Sequence, residues 1–99
     1  MTPEQIQKCN EIIEYYGVNA QLEQLVEECS ELILAIQKYK RNGMKNTSDI
    51  VEEMGDTAII IEQLKKGIYC ENRIIKSIDY KLNRQLERIK EESKSFNEF

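Results

Sequence analysis

The sequence is 99 residues long, 40% apolar and 32% charged, with 14 basic and 18 acidic side chains and a formal net charge of −4. That length makes one domain with a modest core, for which self-association is a natural source of added stability, and the acidic balance argues against DNA binding through a basic face. The first residues have no basic start or apolar segment and no later stretch spans a bilayer, so a cytoplasmic location without a membrane partner is expected.

One proline and four glycines leave few interruptions, which is the balance of a helix-rich chain. The expected fold class is all-α, a four-helix bundle-type chain assembling as a homodimer or homotetramer, with residues 1–99 as a single domain. Cys9, Cys29 and Cys70 are odd in number and far apart, which fits neither a disulfide framework nor a zinc motif. They are expected to be buried free thiols.

Thr2 followed by Pro3, with Gln5 three residues after the threonine, is a cap with a first-turn proline and predicts a helix from Pro3 to Tyr16 stopped by Gly17. Asn19 is placed to cap a second helix. Its apolar positions Leu22, Leu25, Val26, Cys29, Leu32, Ile33, Ile36 and Tyr39 keep helical spacing up to Asn42 and Gly43. The polar run from Asn42 to Asn46 predicts a loop, and Asn46 or Thr47 a cap for a third helix ending before Gly67. A fourth helix begins near Cys70 or Glu71 and carries Ile74, Ile75, Ile78, Leu82, Leu86 and Ile89 on one face, with a polar tail expected to fray from Ser93. In the third helix Ala58, Ile59, Ile60 and Ile61 put apolar side chains all round the cylinder, so it is expected to be surrounded on most sides, most simply with help from a second subunit.

The second helix carries Glu27, Glu28 and Glu31 in an EExxE pattern, and the third carries Glu53 and Asp56 in an ExxD pattern. Glu28 and Glu31 fall roughly 90° to 150° from the centre of their helix's apolar stripe, and Glu53 and Asp56 show the same offset. Two antiparallel helices with such flanks can converge four carboxylates, and charges so crowded need a cation to stay ionised. Oxygen-only ligands select a hard ion, Mg²⁺ or Mn²⁺. In a chain with 18 acids solvated helices also carry such pairs by chance, so the pattern alone leaves both a metal site and an acidic face open. A ferritin-like di-iron site fails, because it needs ExxH motifs and the chain has no histidine. On the fourth helix Lys81, Arg84 and Arg88 form a cationic stripe that can hold phosphate oxygens or pair with Glu87, Glu91 and Glu92 of the same helix.

EECSE at Glu27 to Glu31, EEMGD at Glu52 to Asp56 and Lys81-Leu82-Asn83-Arg84 together resemble the motif set of the MazG-like, all-alpha nucleoside triphosphate pyrophosphohydrolases, over about residues 20–89. The resemblance implies Mg²⁺ held by Glu28, Glu31, Glu53 and Asp56, phosphates held by Lys81 and Arg84, release of nucleoside monophosphate and pyrophosphate as in nucleotide-pool house-cleaning, and sites completed by a neighbouring subunit. Gln85 stands where some relatives have a second arginine, and Asp79 where asparagine is common, which weakens the carry-over for the phosphate contacts. With no histidine, the attacking water is to be activated by metal, by a carboxylate, or by both, and Glu27 or Glu28 is the candidate catalytic base. The alternatives are a noncatalytic helical interaction module and a nucleotide sensor that binds without turnover.

Overall fold

The computed structural model describes residues 1–97. Those residues form four helices: α1 (Pro3–Tyr16), α2 (Val18–Arg41), α3 (Ser48–Gly67) and α4 (Glu71–Asn97). Among the described residues there is no strand, and no helix is long and apolar enough to cross a membrane. The chain divides into two compact units, Met1–Tyr69 and the segment from Cys70 onward.

In the first unit α1 opens with the capping box that Thr2 and Gln5 announce: Gln5 N–H donates to Thr2 Oγ1 at 3.1 Å and Thr2 N–H donates to Gln5 Oε1 at 2.9 Å. Gly17 closes α1 and opens α2 at once, so α2 starts at Val18 and not after an Asn19 cap. Its φ of 87° lies where an L side chain is strained, and a single residue of that freedom turns the chain with no loop at all. The link between α2 and α3 is longer. Asn46 Oδ1 there accepts from Ser48 N–H at 3.0 Å, an Asx turn that launches α3 from Thr47.

The core gathers Ile13, Ile60 and Leu64, with Val18 and Leu25 against them. Gly67 makes that approach possible, since a Cβ there would stand 2.9 Å from Val18 Cγ2 and 3.1 Å from Ile13 Cγ1. Beside this core the α2–α3 seam is polar: Gln21 Nε2 donates to Gln63 Oε1 at 2.5 Å, and both side chains are buried. The Gln21 amide donates to the Gln63 carbonyl inside the seam, the kind of pairing under which buried polar groups are tolerated.

Which face of α2 points inward differs from the sequence expectation. The buried residues are Gln21, Glu28 and Ala35, while Leu22, Val26, Ile33 and Ile36 of the apolar stripe are exposed, Val26 by 68%. Periodicity identifies the apolar stripe, but the partner surface decides what is covered. Here α3 offers Gln63 and two acids, and α2 turns its own polar flank to meet them. Helix α3 is likewise not enclosed within one chain, because Ile59 and Ile61 stay 42% and 45% exposed. The thiols also depart from expectation: Cys9 is buried, Cys70 half-buried and Cys29 exposed, all unoxidised.

In the second unit α4 continues to Asn97, past the fraying expected at Ser93. A run of polar, helix-favouring residues such as Lys90, Glu91 and Glu92 carries no breaking signal, and polarity alone does not end a helix. Ile75, Ile78, Leu82, Leu86 and Ile89 line one face and are all exposed.

Candidate metal centre

The site is built from side chains three residues apart on two packed helices. On α2, Glu28 and Glu31 are nearly one turn apart, as are Glu53 and Asp56 on α3. Helix packing brings Glu28, Glu53 and Asp56 together, so that one carboxylate oxygen from each lies within 4.8 Å of the others. Glu28 is buried, Glu53 half-buried and Asp56 exposed, so the cluster runs from the seam outward to solvent. Glu31 is exposed and stands near enough for its charge to act on Glu53. It shares with Glu53 a groove of 250 Å³ whose walls also carry Leu34, Ala35, Lys38 and Asp49.

The seam does not solvate these acids. Gln24 Nε2 donates to Glu28 Oε1 at 3.1 Å, but Glu28 Oε2 and Glu53 Oε2 are buried with no hydrogen-bond partner in the protein. A buried, unsatisfied carboxylate oxygen is costly, and two in one cluster of acids are costlier. Accordingly the carboxyl of Glu53 is pushed up from 4.5 to about 7, first by burial, then by a hydrogen bond its proton makes with Glu28, and then by the negative charges of Glu31, Glu28 and Asp56. A shared proton is one way to quiet this cluster; a divalent cation is the other.

The donor set fits a hard cation. All donors are oxygens, the ligand type that hard divalent cations prefer, and one from each residue already lies within 4.8 Å of the others. Nitrogen and sulfur donors are absent from the cluster, which disfavours zinc and copper.

Of the residues singled out from sequence, Glu28, Glu53 and Asp56 come together with Glu31 at their edge, a set drawn wholly from α2 and α3. Glu27 is exposed, one residue round the helix from Glu28. Lys81 and Arg84 lie on α4, in the second unit, both exposed, and the Arg84 guanidinium sits 5.6 Å from the centroid of the Tyr80 ring. One feature escaped the sequence reading. Thr57, one helical turn after Glu53, is buried with its Oγ1 unpartnered, and no motif marks it. Lys38 belongs with Lys40, Arg41 and Lys45 to the basic stretch at the end of α2 and in the loop after it, which the sequence leaves open as a substrate-closing group or a solvated helix end; it follows Glu31 by two turns, and its ammonium is 2.8 Å from Asp49 Oδ2.

A second concavity, a groove of 430 Å³ between α1 and α3, is lined mainly by apolar groups, among them Cys9, Ile12, Gly55, Ala58 and Ile59. No protein-family model, curated protein or solved structure matches the chain.

Proposed function

We propose that this chain is a Mg²⁺-dependent, MazG-like nucleoside triphosphate pyrophosphohydrolase, with Mn²⁺ an acceptable substitute. The observation that carries the reading is the pair of buried oxygens, Glu28 Oε2 and Glu53 Oε2, left without a hydrogen-bond partner on two residues that cluster with Asp56. A chain that only needed an acidic surface would leave these groups in water, where their solvation is free; burying them is justified by something that binds there.

Glu28, Glu53 and Asp56 would hold the ion, with Glu31 joining from the rim. Bound magnesium would neutralise charge on the phosphates and lower the pKa of nearby water. Phosphate binding by Lys81 and Arg84 rests on the motif resemblance alone. Water attacks the α phosphorus, its proton passes to the carboxylate of Glu27 or Glu28, and the bond to the bridging oxygen breaks so that pyrophosphate leaves with the electron pair. The apolar groove beside Gly55, within one helical turn of Asp56, offers the base a surface to pack on.

Self-association belongs to the same proposal. The apolar stripes left bare on α2 (Leu22, Val26, Ile33) and on α4 (Ile78, Leu82, Leu86) exceed the scattered apolar exposure ordinary for a monomer surface, and a homodimer or homotetramer would cover them. The same stripes are what favours the second reading, a noncatalytic helical interaction module. Purified protein separates the two: pyrophosphate release from a panel of nucleoside triphosphates in Mg²⁺, abolished by Glu53→Gln, supports the enzyme. Intact substrates across the panel, or full activity in Glu53→Gln, overturn it.

A further inference from the structure

We infer that Lys38 is a polyphosphate-binding residue of the α2–α3 site, held ready by Asp49 and transferred to the terminal phosphate of the substrate when it enters. This rests on the reading of Glu28, Glu53 and Asp56 as a cation site.

Glu31, Ala35 and Lys38 follow one another along one face of α2 at i, i+4 and i+7. The Cα of Lys38 is about 10 Å further along the axis than that of Glu31, and a helical side chain leans back toward the N-terminus, so the ammonium reaches back toward the acids. On α3 the matching step is from Glu53 to Asp49, one turn toward its N-terminus. The two helices therefore enclose a furrow with carboxylates at one end, the Lys38–Asp49 pair at the other, and buried Ala35 in its floor. Its 250 Å³ is open space bounded by a cation-seeking end and an anion-seeking end, which is the charge order of a metal-chelated polyphosphate.

The ion pair itself is a weak tie. Its side chains are 59% and 55% exposed, and exposed pairs contribute little to stability. Asp49 also lies in the first turn of α3, where the helix N-terminus stabilises its charge without help from lysine. Exchanging Asp49 for a phosphate therefore costs the fold little and gives the ammonium a more highly charged partner.

The test uses the full chain, with Mg²⁺ alone and with inorganic triphosphate in Mg²⁺ as probes, titrated calorimetrically against wild type, Lys38→Met and Asp49→Asn. Methionine keeps the unbranched stem and removes the charge. Lys38→Met is expected to bind Mg²⁺ alone as wild type does and to lose about ten- to hundredfold in triphosphate affinity. Asp49→Asn breaks the same ion pair but leaves the amine, and is expected to match or exceed wild type. Equal triphosphate affinity in Lys38→Met and wild type overturns the inference while the metal reading stands, and so does an equal loss in both variants, which would make the ion pair purely structural. Failure of wild type to bind Mg²⁺ overturns the metal reading and this inference with it.

Discussion

Replacing Glu53 by glutamine tests the centre at its most perturbed group. In the metal-free protein this carboxyl titrates near 7 against 4.5 for an unperturbed one. Between those values the folded chain holds a proton that the unfolded chain has released, so stability falls as pH rises through the window and stays low above pH 7. A cation must displace that proton. With the pKa raised to about 7, binding should therefore release most of a proton at pH 6 and progressively less as the pH rises. Calorimetry in two buffers of different ionisation enthalpy reads that number directly, and Glu53→Gln removes this contribution at every pH. Thermal melts give the second readout. At a Mg²⁺ concentration a hundred times its Kd, wild type gains about 2.7 kcal/mol, or on the order of 10 to 20 °C in Tm for a chain of this size. Glu53→Gln should be more stable than wild type without metal at pH 8, nearly equal at pH 4.5, and should gain far less from the same Mg²⁺. Equal proton release by variant and wild type at pH 6 and 7, or a stability difference that does not grow from pH 4.5 to 7, would refute the reasoning.

The packing makes further predictions. Gly67→Ala inserts a methyl against Val18 and Ile13; overpacking of about 1–3 kcal/mol outweighs the ~1 kcal/mol that alanine gains as a helix former, so urea unfolding should show a net loss. Gln63→Leu leaves the buried amide of Gln21 without its partner and should cost about 1–3 kcal/mol, while the double variant with Gln21→Leu should recover most of it; a double variant worse than the single one would show that the amide pair does more than satisfy itself. Val26→Glu with Ile33→Glu places charges on exposed positions of α2 and should lower the oligomer mass seen by sedimentation equilibrium without lowering helix content. An unchanged mass would remove this stripe as the interface.

Much of the fold was legible from punctuation. The capping box at Thr2, the stop at Gly17 and the polar link after Asn42 all carry strong local signals, and α1 spans the residues they define. The clustering of Glu28, Glu53 and Asp56 was legible too, because spacing of three on two successive helices is a local pattern. What could not be read is which face of α2 would be buried. Glu28 looked like a flank residue beside an apolar stripe, yet it is only 9% exposed while Val26 lies open. That choice depends on α3's complementary surface, a long-range property that no window of α2 contains. Thr57 stayed hidden because no motif marks it, and for Lys38 the sequence showed a basic helix end but not its pairing with Asp49 on the next helix. Cys29 was expected inside as part of the apolar stripe of α2, and with Val26 and Ile33 of that stripe it lies exposed.

The joint at Gly17 has a bearing on how such a chain can vary. With no spacer between α1 and α2, adding or deleting one residue there would swing everything downstream by about 100° relative to α1, and Ile13 would no longer meet Ile60 and Leu64. The six positions from Asn42 to Thr47 are free of that gearing. Length polymorphism in descendants of this sequence should therefore accumulate in the second connection and be purged from the first, and a tag or affinity epitope engineered into the interior belongs at Gly43 rather than anywhere near residue 17.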